Sequence, residues 1–298
     1  MYSDILKIIP EDRVKANEEM KWHTSFQIGG PVDLMLFPGN CGELRELIKY
    51  CRGKSTAFFV FGLGSNLLVR DKGFRGVAIK TNGLNSYSIM GENIIAEAGV
   101  SLSELARIAA DNSLSGLEFA EGIPGSLGGA VVMNAGAYDG EMKSVLLEVA
   151  AIDAKGNEKI FKSHEMKMGY RSSIFQEEDY IVASATIELQ RGIMKEIKAK
   201  MEDFAIRRRE KQPLDLPSAG STFRRPEGFY VGPMLEKMGL KGFRIGGAEV
   251  SRKHAGFIVN AGNATASDVL KLIEYIRAKA QEQYGVNLQP EVRILGEE

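Results

Sequence analysis

The sequence predicts an α+β protein built from more than one domain, on three observations. The chain has 298 residues, and a domain of ordinary size takes roughly 100–200. Strand-like and helix-like stretches alternate from Lys21 to Lys80 and start again at Ile94. A long helical pattern then stops at Pro213 and Pro217, the clearest break in the chain. The expected division is residues 1–79, 80–212 and 213–298.

The elements follow from local pattern. Leu44, Leu47, Ile48 and Cys51 fall at i, i+3, i+4 and i+7, which predicts a helix with Cys51 facing the core and no disulfide to Cys41. Phe58 to Phe61 is an apolar strand running straight into Gly62, and Val77 to Ile79 is another, closed by an Asn82-Gly83 turn. Ile94 to Ala98 reads as strand. Ser101 with Glu104 three residues on reads as the capping box of a helix with Leu105, Ile108 and Ala109 inward, stopping near Asn112. Glu148 to Ile152 and Glu158 to Phe161 flank Lys155-Gly156-Asn157 as a hairpin, and Tyr180 to Leu189 alternates as a strand. Ile197, Met201, Phe204 and Ala205 share one face of a helix from about Met194 to Glu210. Its end, Arg207-Arg208-Arg209, reads either as a solvated cationic face complementing the helix dipole or as a diphosphate clamp. Further on, Gly256 to Val259 is strand-like, and Ser267 caps a helix with Val269, Leu270, Ile273 and Ile276 inward, ending near Gly285.

Composition narrows the function classes. A hydrophobic fraction of 44% with 26% charged residues is that of an ordinary soluble globular chain. Lysine and arginine number 38 against 39 acidic residues. No global field therefore draws in nucleic acid or an anionic membrane, and the expected partner is a small molecule. The N-terminus lacks a secretory pattern and no stretch reaches the ~18 apolar residues of a membrane span, so a cytoplasmic protein is expected. His23, His164 and His254 are far apart and form no zinc-ligand spacing, so no metal is expected.

Two glycine-rich segments point to a ligand. Gly62-x-Gly64-x-x-Leu67 follows a strand, where an α/β unit presents amides to phosphate, but it lacks the third glycine of a dinucleotide fingerprint and also reads as a tight turn. Gly122-Ile123-Pro124-Gly125-Ser126-Leu127-Gly128-Gly129-Ala130 removes side chains over a surface large enough for backbone to lie against a flat or polyanionic ligand. It has no Gly-Lys-Ser/Thr ending, so it is not a nucleoside-triphosphatase loop.

Four segments match in order the FAD-binding segments of one family: Thr24-Ser25-Phe26-x-Ile28-Gly29-Gly30-Pro31, Gly62-x-Gly64-Ser65-Asn66, Gly122 to Ser126, and Asn134-Ala135-Gly136-Ala137-Tyr138. Three more, around Tyr170-Arg171, Gly220-Ser221 and Pro290-Glu291-Val292-Arg293, match its active-site motifs. From about Trp22 to Leu295 the chain resembles the UDP-N-acetylenolpyruvoylglucosamine reductase family, flavoenzymes of bacterial cell-wall precursor synthesis. The resemblance implies a vanillyl-alcohol-oxidase-like fold: two α+β subdomains holding FAD noncovalently, and a C-terminal substrate domain. It implies cofactor contacts from Gly62, Gly64, Ser65, Asn66, Leu67, Gly122, Ile123, Pro124, Gly125, Ser126, Gly128, Gly129, Ala130, Asn134, Gly136 and Ala137. It also implies substrate contacts from Tyr138, Tyr170, Arg171, Ser221, Lys253 and Glu291. NADPH is the implied hydride donor and UDP-N-acetylglucosamine enolpyruvate the implied substrate, with a monomer expected.

Taken singly, Arg171 and Glu291 read as surface or salt-bridging residues and Ser221 as a turn residue. The resemblance gives them catalytic roles. A guanidinium meets two carboxylate oxygens at once and never loses its charge, which suits Arg171 to an anion developing on the substrate carboxylate. Glu291 assists when protonated, a state that burial beside an anion favours. Ser221 delivers the proton to carbon. Two departures stand out. Arg224-Arg225-Pro226 replaces the family's Lys-Asn-Pro, so Arg225 stands where an asparagine is associated with substrate. Ile174-Phe175 leads almost directly into the Tyr180 strand, as in a shorter class without a tyrosine-bearing loop. Another oxidoreductase of the same fold acting on a small hydroxy acid, or a non-catalytic UDP-sugar-binding module, stays open as an alternative.

Overall fold

The computed structural model describes residues 2–298. The chain forms two compact units. The first comprises the N-terminal residues up to Lys15 with Leu34–Leu63 and Gly76–Arg208, and the second comprises Ala16–Asp33, Gly64–Arg75 and Arg209–Glu298.

In the first unit a five-stranded antiparallel sheet runs in the order Glu158–Lys162, Leu146–Ile152, Ile181–Glu188, Asn93–Glu97, Tyr87–Met90. Alternation puts Val149, Val182, Ala185 and Ile187 into one buried cluster with the apolar faces of helices Leu102–Asp111 and Leu127–Met133. A bulge between Val182 and Ser184 leaves Ala183 to the other cluster, beside Ile152, Leu44, Leu47, Ile48 and Cys51. The helix Cys41–Gly53 supplies those last four residues, as its spacing requires, and Asn40 caps it by accepting from the Glu43 amide at 2.9 Å. Phe58–Phe61 pairs in parallel with the strand Phe74–Lys80.

Ser101 flanks Leu102–Asp111 as expected, but no side-chain cap forms there. Its backbone instead makes an isolated bridge with Ser126.

In the second unit Ser218–Ser221, Phe257–Asn260, Ala248–Val250 and Arg244–Ile245 form an antiparallel sheet in that order, with helix Ala266–Tyr284 packed on it. The capping residue of this helix is Thr265, two positions before the expected Ser267. Thr265 forms a capping box with Asp268, and the Asp71 carboxylate accepts from the Ala266 and Ser267 amides at 2.7 and 2.9 Å. Leu272 lies in the core where Leu270 was expected, alongside Val269, Ile273 and Ile276. Arg293–Leu295 pairs in parallel with Leu67–Val69. Among the described residues no helix is long and apolar enough to cross a membrane, and no group of three metal-ligating side chains occurs.

Candidate active site

The two glycine segments meet inside the first unit at Gly62 and Ser126. A Cβ built on Gly62 would fall on the Ser126 side chain, so only glycine lets the two loops approach this closely. Beyond Ser126, the amides of Leu127 and Gly128 donate to the Val100 and Ala98 carbonyls at 2.8 Å each, and Gly129 donates to Ser126 Oγ at 3.5 Å. These amides pin helix Leu127–Met133 to the strand end before it. Gly122 has φ +71°, and a Cβ there would meet the Arg208 side chain at 3.1 Å. The segment 122–129 is thus poor in side chains, with Gly122 to Gly125 and Gly129 at least partly accessible, which fits a cofactor that backbone must approach closely.

Asn134 ends that helix in left-handed conformation and is fully buried. Its Nδ2 donates to Glu141 Oε2 and to the Gly169 carbonyl, both at 2.9 Å, while Oδ1 accepts from the Lys143 amide at 2.9 Å. Asn134, for which the resemblance implies a cofactor contact, ties three loops together. One carries Arg171. Gly169 and Ser172 exchange backbone hydrogen bonds at 3.1 and 3.2 Å, which leaves Tyr170 and Arg171 at the tip of a tight turn. Arg171 has φ +52°, a left-handed region costly for any residue with a Cβ and usually filled by glycine or asparagine. Its guanidinium donates to the Gly136 carbonyl at 3.1 Å and lies 5.4 Å from the centre of the exposed Tyr170 ring.

Gly136 belongs to a second tight hairpin, with Tyr138 and Asp139 at its tip at φ +50° and +64°. Tyr138 stacks on Phe204 with ring centres 4.5 Å apart, and the Arg208 guanidinium lies 5.6 Å from the Tyr138 ring centre. Arg208 is buried, not solvated as one sequence reading of the triple arginine had it. The signal was present in the spacing: Arg208 follows Ile197, Met201 and Phe204 on the buried face of helix Met194–Lys211. Arg207, by contrast, is half exposed and pairs with Asp203 at 2.7 Å.

Ser221 and Glu291 lie in the second unit. Across the sheet, Ser218 faces Val259 and Ser221 faces Phe257, so Ala219 and Gly220 bulge, with Gly220 at φ +76°. The bulge presents Ser221 exposed at the strand end. The next residue, Thr222, accepts the Glu291 amide at 2.8 Å, and Arg224 donates to the Gln289 carbonyl at 2.9 Å. The serine and glutamate segments are thereby zipped side by side. Asn66 joins them: its side chain donates to the Glu291 carbonyl at 3.1 Å and its carbonyl accepts the Arg293 amide at 3.0 Å. Lys253 is exposed and donates to the Arg209 carbonyl at 2.5 Å. Burial pushes the imidazole of the neighbouring His254 below its ordinary range, and Nδ1 accepts the Gly256 amide at 3.1 Å.

Comparison with known proteins decides the family. Residues 212–295 match the C-terminal domain of UDP-N-acetylenolpyruvoylglucosamine reductase, and residues 32–161 match an FAD binding domain. The reductase of that name from Syntrophomonas wolfei is 64% identical over 299 aligned residues, covering all of both chains. The chain belongs to the UDP-N-acetylenolpyruvoylglucosamine reductase family. The reductase of Caldanaerobacter subterraneus is 54% identical over 98% of this chain and 96% of its own. The crystal structure of the Thermus caldophilus reductase superposes with a TM-score of 0.83 at 33% identity, covering 95% of this chain and 99% of that one. A grass pollen allergen with glucose dehydrogenase activity, Phl p 4, matches 65% of this chain and 44% of its own at 13% identity and TM-score 0.51, which shows a shared fold alone. The α+β, vanillyl-alcohol-oxidase-like architecture expected from the resemblance is the one found.

Proposed function

We propose that Arg171, Ser221 and Glu291 carry the substrate chemistry of a flavin-dependent UDP-N-acetylmuramate dehydrogenase. The observation that carries the reading is 64% identity to a named reductase across the whole chain. The reaction is the NADPH-dependent, FAD-mediated reduction of UDP-N-acetylglucosamine enolpyruvate in peptidoglycan precursor synthesis. The proposal extends to a cytoplasmic enzyme whose partner is this small-molecule substrate, in keeping with a formal charge of −1.

When bound, FAD supplies the two-electron transfer from NADPH to the substrate. In the reading proposed here, residues 62–67 and 122–130 hold it through backbone and small side chains, consistent with the close approach of Gly62 to Ser126. The chain's own residues handle charge and the proton. Hydride addition at the β-carbon of the enolpyruvyl ether breaks the π component of the C=C bond and drives that electron pair toward the carboxylate. Arg171 meets that charge with a planar, permanently cationic fork that the Gly136 carbonyl orients. Ser221 Oγ gives its proton to the α-carbon, completing the C–H bond, and recovers one from solvent. Glu291, its backbone fixed from both sides by Thr222 and Asn66, hydrogen-bonds the developing acid.

Anaerobic reduction by NADPH followed by addition of the enolpyruvyl substrate tests the function. Flavin reoxidation by that substrate, and not by small hydroxy acids or their ketones, is the expected result. Reoxidation by a hydroxy-acid couple instead would overturn it.

A further inference from the structure

The turn that carries Arg171 hangs by side-chain hydrogen bonds from the end of one helix. Val132 is the next-to-last residue of helix Leu127–Met133, where a carbonyl has no amide of its own helix to accept. Its oxygen takes Ser173 Oγ and Gln176 Nε2, both at 2.7 Å. Gln176 Nε2 also donates to the Arg171 carbonyl at 3.0 Å. Both partners of this amide are carbonyls, so Nε2 and not Oε1 is the atom between them, with an N–H group for each. Asn134, which follows the helix, donates to the Gly169 carbonyl at 2.9 Å.

These bonds set the direction of Arg171. Its left-handed backbone is disfavoured about five- to thirtyfold for a residue with a Cβ, so the turn needs contacts that hold it. Asn134 holds one end through Gly169, and Gln176 holds the other through the carbonyl of Arg171 itself. Between those points the Arg171 side chain swings only if the Tyr170–Arg171 peptide turns with it. Ser173 is fully buried and serves packing as well. Gln176 is exposed and adds nothing to the core, so its contribution is its two hydrogen bonds. The helix that offers the Val132 carbonyl begins directly after Ser126, inside the glycine-rich segment read as lining the cofactor. Arg171 is thereby registered to that segment through 7 residues of helix.

We propose that Gln176 is a positioning residue for Arg171, aiming its guanidinium at the charge that develops on the substrate carboxylate. This rests on the functional reading above, in which Arg171 meets that charge. A donor stabilises developing charge most when it is already aimed at it, because no reorganisation is then needed at the moment of reaction. An arginine on a turn free to reorient would have to be ordered first, and small misplacements of a reacting group are costly. Reduction of the flavin by NADPH develops no carboxylate charge. That half-reaction should therefore not depend on Gln176.

The experiment compares Gln176→Met, Arg171→Ala and the double variant with the parent enzyme, all loaded with FAD. Methionine keeps the length of the side chain and removes both donors. Stopped flow gives the rates of flavin bleaching by NADPH and of reoxidation by the enolpyruvyl substrate, and hydrogen exchange with mass spectrometry follows the amides of residues 169–173. Gln176→Met should slow reoxidation about three- to thirtyfold and leave bleaching within about twofold. Exchange of the Gly169 and Ser172 amides, which close the turn, should speed about threefold or more. In the Arg171→Ala background the same change should cost less than about twofold, because the group it positions is gone. Unchanged reoxidation in Gln176→Met overturns the proposal, and so does bleaching slowed as much as reoxidation. An equal further loss in the Arg171→Ala background also overturns it, since Gln176 then acts independently of the guanidinium. If the parent enzyme does not reduce the enolpyruvyl substrate, the functional reading falls, while amide exchange still decides whether Gln176 holds the turn; exchange at the parent rate would show that it does not.

Discussion

The side-chain amide of Asn66 donates to the main-chain carbonyl of Glu291 at 3.1 Å. The two residues are 225 positions apart. Asn66 belongs to a segment matched to cofactor binding and Glu291 to one matched to catalysis, so the bond links the two motifs directly. Any change at Asn66 acts on the glutamate. Asn66→Ala should lower substrate reduction more than it lowers FAD retention, measured by turnover against flavin absorbance after gel filtration. Equal loss of both would mean that Asn66 serves the cofactor only.

Gly62 is the position where the first unit's two glycine loops touch. Gly62→Ala should weaken FAD retention, because the new methyl group and the Ser126 side chain compete for one space. Removing the obstacle should recover it: Gly62→Ala with Ser126→Gly should bind FAD better than Gly62→Ala alone, since a serine-to-glycine change at a helix cap costs only a few tenths of a kcal/mol. Additive losses in fluorescence titrations would show that the contact is not the cause.

At Arg171 backbone strain and function sit on one residue. At φ +52° glycine is more comfortable than alanine, so Arg171→Gly should be about 1–2 kcal/mol more stable than Arg171→Ala by urea denaturation, with substrate reduction lost in both. Arg171→Lys keeps a charge and loses the fork, and should not restore turnover. Near-normal activity of the lysine variant would end the assignment.

Ser221→Ala separates the half-reactions. NADPH should bleach the flavin at close to the native rate, and reoxidation by the enolpyruvyl substrate should slow about 10²- to 10⁴-fold, the usual cost of losing a general acid. Stopped-flow traces in which both phases slow alike would make Ser221 a turn residue of the bulge.

The Cys41 thiol is pushed from 9.0 up to about 12, by burial first and then by the Glu97 carboxylate, whose Oε1 accepts from Sγ at 3.4 Å. The folded state therefore holds a proton that the unfolded chain releases above pH 9. Stability contributed by this group is complete below pH 9 and is lost as pH rises toward about 12. Cys41→Ser should flatten the alkaline fall in Tm. At pH 8 the native thiol should also resist iodoacetamide, with labelling followed by mass spectrometry.

Periodicity alone located the helix Cys41–Gly53 and its buried Cys51, the hairpin of Leu146–Ile152 with Glu158–Lys162, and the last helix ending at Gly285, because apolar spacing and turn residues act locally. Ordered motifs carried the family. Capping was less legible: the backbone of Ser101 bridges to Ser126, and Thr265 takes the role expected of Ser267 because Asp71, far off in sequence, meets the same helix end. The burial of Arg208 was legible in its helical spacing, but tertiary structure alone decided that it lies beside Gly122 and Tyr138, that Asn134 ties three loops together, and that Thr222 and Asn66 bracket Glu291. Each depends on chain segments brought together from a distance, and the partner of a hydrogen bond or a buried charge leaves no mark on the spacing of its own segment.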